Sequence, residues 1–429
     1  MGLSLRSDID KPNMTLLYST LQKSMDRGVK IAVDDNLLPI IEKQYVWAQQ
    51  RLQAYGINDI TDTKTLANAF MEQAQIEESE LGTNVIRTYS YNKETKKWDT
   101  STGIVEDIAQ HGNQFALTVL ENLKLLLYMR QLNEISERKD ENSFVHPKIA
   151  TSSTNRVQYS KPGILTITKP LLWNIIRPTS DKYNIYSVDI QNQEPWILIN
   201  LLKIDSLKAM LSISDSSVGL YEVIFNYLYH KNPDKIERRE LKRAWNALTY
   251  GASKSAVLSM CKHIDGLVVY NFFKKIPNYQ EYSSKMYAAS HNMSKNTIKS
   301  YFGTDVRITG STAAKRAKQM MNAGIQGTGA DILAFLVEHF LKEVESEHLE
   351  DDLRLYFTRH DECIIEVSKD FEDKYTVDGV IDVLTDLFEH RIDDWEPFRV
   401  KVEKIESSQD ALFAFADTDD DFGGDEDAV

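Results

Sequence analysis

The sequence predicts an α+β fold, on three observations. Long stretches of the chain carry apolar residues at helical spacing. One alternating run, "KYNIYSVDI" (182–190), reads as a strand that stops at polar residues. Near the far end, "LYFTRHDECIIEV" (355–367) sets two short apolar runs around Arg359, His360, Asp361 and Glu362, the pattern of a β-hairpin.

The elements follow in order. Residues from Met14 to about 75 are expected to be helical. "NLLPIIEKQYVWAQQRLQAYG" has an apolar face and stops near Gly56. "DITDTKTLANAF" offers Asp and Thr caps for another helix. Residues 84–103 read as a strand-and-turn insertion. "NQFALTVLENLKLLLYMRQLNEIS" predicts a long amphipathic helix, and "ERKDENS" a polar linker. From Ile149 the chain turns polar, β-leaning and turn-rich. Pro195 belongs in the first turn of the helix after the 182–190 strand, where a missing N–H costs nothing. Residues 217–300 read as mostly helical. "GIQGTGADILAFLVEHFLKEVES" predicts a helix begun after a glycine-rich turn. The acidic end is expected to be disordered.

At 429 residues more than one folding unit is expected. Hydrophobic content of 42% with 27% charged residues suits a soluble globular chain, and no apolar run is long enough to span a bilayer. The start, "MGLSLRSDIDKPNM", lacks the apolar core of a signal peptide. Cys261 and Cys363 have no metal-ligand spacing and suit a reducing cytoplasm. The net charge of −14 argues on its face against a nucleic-acid partner. The charge is uneven, however: "DTDDDFGGDEDAV" has no Lys or Arg, whereas "HKNPDKIERRELKRAW" is rich in both. Local charge decides where a phosphate backbone lies.

Three features bear on chemistry. Asp361 and Glu362 repel each other at the hairpin apex, so solvent, a cation or a metal must compensate them. Asp189 ends a strand, which delivers its side chain either to a cleft or to a helix-capping position. Arg238, Lys242 and Asn246 share a helix face at i, i+4, i+8, and Tyr250 continues it. Taken singly, these are a solvated turn, a cap and a solvated basic face. A cationic helical stripe is also what a triphosphate needs.

The order of these parts resembles the polymerase region of the family A DNA polymerases. "TSSTNR" is similar to T-x-T-G-R, with Asn155 replacing Gly. "VDIQNQEPWIL" resembles motif A, "RRELKRAWNALTYG" motif B, "MNAGIQGTGADI" the N-x-x-x-Q-G-T-A-A-D segment, and "RHDE" motif C. "LLYSTLQKSMDRGVKIAVDDNLLPII" and "LENLKLLLYMRQLNEIS" are similar to the family's thumb-side helices. Each motif alone is weak, but five in order across residues 14–407 are specific.

The resemblance implies a right-hand polymerase fold, with a thumb, a palm with an antiparallel sheet, and helical fingers, and no exonuclease domain. The implied division is 1–148 N-terminal helices and thumb, 149–215 and 326–407 palm, 216–325 fingers, and 408–429 an acidic disordered tail. It implies two Mg²⁺ ions, with Mn²⁺ able to substitute, held by Asp189, Asp361 and the Ile190 carbonyl. Glu362 supports the site. Glu194 is the steric gate against a ribose 2′-OH. Arg238, Lys242, Asn246, Tyr250 and Tyr221 (where many relatives carry His) face the dNTP. Arg156, Lys318, Asn322, Gln326 and His360 contact the primer–template. The implied activity is dNTP addition to a DNA primer without proofreading, which leaves room for a separate exonuclease.

The departures are specific. Motif B's aromatic is Asn246, and Trp245 beside it points about 100° away on a helix. Motif A's Arg is Trp196, and motif C opens on Arg359 rather than an apolar residue. These departures point to a divergent phage or plasmid member, acting in the host cytoplasm. Gln409–Phe413, "QDALF", resembles a sliding-clamp peptide, and the acidic run with Phe422 resembles the tails of single-strand-binding proteins; a plain solvating tail is the alternative. Two rival functions remain at this level. A single-subunit RNA polymerase, or primase-like enzyme, shares "KRAWNALTYGASK"-like spacing. An inactive replication scaffold would act through the tail.

Overall fold

The computed structural model describes residues 12–33, 37–60, 63–73, 91–92, 97–98, 105, 109, 113–205, 207–208, 219–389, 395 and 398–414. The acidic stretch 415–429 and most of 84–103 lie outside these. Within the latter, Tyr91–Asn92 and Lys97–Trp98 pair antiparallel, as the strand-and-turn reading expects. The mixed helix-and-sheet class is as the sequence predicts. The chain forms two compact units: 25–148, 159–183 and 405–429 in one, and 1–24, 149–158 and 184–404 in the other.

In the first unit, the helices Leu37–Gln53 and Gln114–Ser136 pack along each other. Asn113 caps the second helix by accepting from Ala116 N–H at 3.0 Å. Leu52, Ile57, Ile60, Leu66, Phe70, Phe115 and Val119 form the core. The Phe115 ring meets Tyr55 and Phe70 edge-on, at 5.0 and 4.8 Å. The expected amphipathic face of this helix is wider than predicted, because Thr118, Asn122 and Lys124 are buried too. Neighbouring polar groups make that tolerable: the Asn122 amide donates to Thr118 O and its Oδ1 accepts from Gln49. A small sheet places Val29–Ile31 between Phe144–Val145 and Ile176–Arg177. The helix Gln409–Phe413 packs against Lys169–Ile175, with Leu412 only 1% exposed and Asn174 Nδ2 donating to Ser408 O at 3.0 Å. The leucine that a clamp pocket would need is therefore already covered.

The second unit is built on a four-stranded sheet. Its strands are β1 (Tyr183–Ile190), β2 (Leu353–Arg359), β3 (Glu362–Ser368) and β4 (Val400–Lys404), in the order β2-β3-β1-β4. β2 with β3 and β1 with β4 pair antiparallel. β3 is buried along its whole length, which suits "ECIIEVS" only because Glu362 and Glu366 find partners. The expected hairpin is present: Arg359 pairs with Glu362, and His360 takes the left-handed turn position at φ 55°.

Four helices of this unit carry expected site residues: α1 (Gln193–Leu201), α2 (Leu220–Tyr229), α3 (Lys235–Thr249) and α4 (Ala313–Ser346). Pro195 falls in the first turn of α1, as expected. α3 opens with a capping box between Asp234 and Glu237.

α4 corrects the sequence reading. "GIQGTG" is not a turn: the helix runs from Ala313 straight through Gly324, Gly327 and Gly329. These glycines serve contact rather than flexibility. A Cβ on Gly324 would lie 2.5 Å from the Tyr282 hydroxyl, and one on Gly327 2.5 Å from a Val306 methyl. Local propensity disfavours glycine in a helix by about 1 kcal/mol each, and close packing overrides it. The hairpin Thr297–Lys299/Asp305–Arg307 lies on α4 through Ile298 and Val306, which meet Met320 and Ala323. Lys299 and Arg307 face outward.

Candidate active site

The strand β1 ends where the hairpin tip arrives. Ile190 N–H donates to Asp361 O at 3.2 Å, and Gln191 N–H to Arg399 O at 2.9 Å. Asp189 is therefore a strand-end residue and not a helix cap; Asn192 occupies the cap of α1. Burial, then the Asp189 charge, pushes the Asp361 carboxyl up to about 7. The two carboxylates thus act on each other in a desolvated place, where cationic compensation has most value. Arg156 supplies part of it. Its guanidinium is raised although burial opposes the charge, because the Glu194 carboxylate, with Asp361 beside it, surrounds it with negative potential.

Arg156 is delivered by the 152–156 turn. Ser152 Oγ accepts from Thr154 and Arg156 N–H, and Asn155 sits at φ 64°. That explains Asn in place of Gly: Asn is among the few side chains that visit the left-handed region readily. Arg156 Nη2 donates to Glu194 Oε1 at 2.6 Å, and the Tyr250 hydroxyl donates to Glu194 Oε2. Burial and Glu194 raise Tyr250, whose hydroxyl also bonds Gln326. The expected gate residue is therefore clamped from two sides. His360 is lowered to about 4, by burial and then by Arg359 and Arg156, so its ring is neutral at pH 7. It borders a small cleft with Leu17, Asn155, Arg156, Gln193 and Leu333.

Glu362 has a different place. It is 2% exposed, accepts from the Ser187 hydroxyl, and has Arg359 Nη1 at 3.9 Å. Its carboxylate is held within the sheet between Ser187 and Arg359. On α3, Arg238, Lys242 and Asn246 form a half-buried stripe that ends in Tyr250. At 1.5 Å per residue the stripe runs about 18 Å from the Glu194 clamp outward. Trp245 is fully buried against Phe273 (4.6 Å) and cannot stand in for the missing aromatic. Tyr221, expected at the nucleotide, is 1% exposed, and its hydroxyl donates to Asn246 Oδ1 at 3.0 Å. On α4, Lys318, Asn322 and Gln326 share one face. Lys318 is exposed, and Asn322 Oδ1 is buried without a partner among the described residues.

Among the described residues, no group of three or more His, Cys, Asp or Glu is placed so that it could hold a metal ion by itself. Asp189, Asp361 and the Ile190 carbonyl are instead a sparse set of hard oxygen donors. Such a set fits Mg²⁺, which keeps water and substrate phosphate in its shell, and does not fit Zn²⁺.

The sequence profile of DNA polymerase family A matches residues 41–394. The chain belongs to DNA polymerase family A. It is 24% identical over 302 residues to the DNA polymerase I of Rhizobium leguminosarum, a match covering 64% of this chain and 28% of that protein. The chain thus spans little more than a quarter of that curated relative. Its fold is similar to the solved POL domain of Pol1 from M. smegmatis in complex with DNA primer-template and dNTP. There the TM-score is 0.63 at 15% identity, covering 92% of this chain and 70% of that one. The five motifs are thereby set within a family-wide match.

Sequence reasoning missed three partners within this family A chain: Ser187 on Glu362, Gln193 under Gly329, and Glu222 on Arg238. None has a spacing signal, because each joins elements far apart in sequence. Of the expected residues, Asp189, Ile190, Asp361, Arg156, Glu194, Tyr250, Gln326 and His360 converge on one place. Lys318 stands about 12 Å along α4 from Gln326.

Proposed function

We propose that this chain is a template-directed DNA polymerase that adds dNTPs to a primer end. The observation that carries the reading is the convergence of Asp189 and Asp361 beside a Glu194 clamped by Arg156 and Tyr250. Asp189, Asp361 and the Ile190 carbonyl would hold two Mg²⁺ ions, with Mn²⁺ able to substitute. When bound, the ions lower the pKa of the primer hydroxyl and neutralise the departing pyrophosphate. Arg238 and Lys242 bind the triphosphate along α3. The fixed carboxylate of Glu194 leaves no room for a 2′-OH. Tyr250 borders the nascent pair. Lys318, Asn322, Gln326, Arg156 and neutral His360 bind the primer–template. Residues 149–215 and 326–407 serve as palm, 216–325 as fingers and 1–148 as thumb. The chain acts in a phage or plasmid replication setting within the cytoplasm.

Primer extension on a primed DNA template with Mg²⁺, comparing dNTPs with rNTPs, tests this in the wild type and in Asp361→Ala. Extension with dNTPs alone, lost in the variant, is the expected result. Extension with rNTPs would favour an RNA polymerase and implicate Asn246. Synthesis that survives Asp361→Ala would remove the metal-site assignment.

A further inference from the structure

The α3 stripe is backed by two neighbouring residues of α2 that the reaction itself does not require. Glu222 Oε1 accepts from Arg238 Nε, with both side chains about one-third exposed. The Arg238 guanidinium carbon lies 5.9 Å from the Tyr221 ring centroid. The Tyr221 hydroxyl donates to Asn246 Oδ1 at 3.0 Å, two turns further along α3. Gly219 makes room for this arrangement: a Cβ there would collide with the Glu222 carboxylate. Glu222 lies in the first turn of α2, where the helix dipole favours a carboxylate.

The pattern of contacts is specific. Glu222 takes the side-on Nε of Arg238 and leaves both Nη groups, which donate to no described residue. A guanidinium held at Nε and against one face keeps its fork free for a phosphate. Asn246 shows the same logic: with Oδ1 taken by Tyr221, the amide keeps two N–H donors for a ligand. We propose that Tyr221 and Glu222 are positioning residues that pre-orient Arg238 and Asn246 for the incoming triphosphate, without touching it themselves. This rests on the reading of α3 as the triphosphate-binding helix. It also accounts for the hydroxyl at 221 and the amide at 246 as one unit: Phe at 221 would lack the donor, and an aromatic at 246 would lack the acceptor.

Steady-state kinetics of dNTP addition on primed DNA tests the proposal with Glu222→Ala, Glu222→Gln, Tyr221→Phe, Asn246→Ala, the Tyr221→Phe/Asn246→Ala double variant and Arg238→Ala. Pre-orientation lost at a charged pair only about one-third exposed raises the dNTP KM by about threefold to tenfold in Glu222→Ala, with kcat nearly unchanged. Glu222→Gln, which keeps the acceptor, restores most of it. Tyr221→Phe raises KM in the wild-type background but adds nothing to Asn246→Ala. Should Glu222→Ala fail to fold, judged by circular dichroism, Glu222→Gln and the Tyr221/Asn246 cycle carry the test. A KM that is unchanged or lowered in Glu222→Ala would overturn the proposal and make Glu222 a competitor of the triphosphate. So would additive effects of Tyr221→Phe and Asn246→Ala. If Arg238→Ala leaves KM unchanged, the reading of α3 itself falls and the proposal with it. If Arg238→Ala raises KM while Glu222→Ala does not, only the proposal falls.

Discussion

Replacing Asp331 with Asn is expected to stabilise the protein at neutral pH, even though it removes a hydrogen-bonded carboxylate. Asp331 lies on α4, fully buried; the Ser300 hydroxyl donates to Oδ2, while Oδ1 has no partner among the described residues. Burial, only partly offset by the Ser300 and Thr304 hydrogen bonds, raises its pKa from 3.8 to about 6. The folded state therefore holds a proton that the unfolded state has released between about pH 4 and pH 6. Stability falls as pH rises through that window and is level above it. A shift of about 2 units corresponds to about 3 kcal/mol. Asparagine keeps an acceptor for Ser300, but its N–H₂ must sit at the unpartnered Oδ1 position, at a cost of about 1 kcal/mol. The net expectation is about 1–2 kcal/mol of added stability at pH 7.5, shrinking to nothing near pH 4.5. Thermal unfolding of both proteins across that range measures the difference, in which titration of every other group cancels. A variant that is equally destabilised at both pH values would refute the argument, since a desolvated carboxylate must show the pH dependence.

Three further outcomes follow from the same structure. Lys318→Ala should weaken primer–template binding and lower the slope of log Kd against log salt by about 0.9, if it meets one phosphate; fluorescence anisotropy between 50 and 300 mM salt reads this, and an unchanged slope would remove Lys318 from the DNA path. Gly324→Ala gains about 1 kcal/mol of helix propensity but drives a methyl into the buried Tyr282 hydroxyl, 2.5 Å away. Overpacking costs of about 1–3 kcal/mol should win, lowering the melting temperature. Leu412→Ala should cost about 2–4 kcal/mol, because the side chain is 1% exposed in the first unit; a variant with unchanged melting would mean that "QDALF" stands free for a partner.

What the sequence determined by itself is what depends on neighbours a few residues apart. The hairpin around His360 and Asp361 was legible from its apolar flanks, and Asp189 at a strand end from alternation that stops at Gln191. The stripe Arg238–Lys242–Asn246–Tyr250 was legible because helical period is local, and so was the prediction that Trp245 turns away from it. The ordered motifs supplied the family. Tertiary structure alone decided the rest. "GIQGTG" looks like a turn until Tyr282 and Val306 are brought against it, since close packing and not φ demands those glycines. Leu412 reads as part of a tail until Lys169–Ile175 covers it. Tyr221 reads as a ligand residue until its hydroxyl is found on Asn246, and Glu222 carries no signal until Arg238 lies beside it. Each of these is a contact between segments that the chain separates by 16 residues or more, and no periodicity encodes such a meeting.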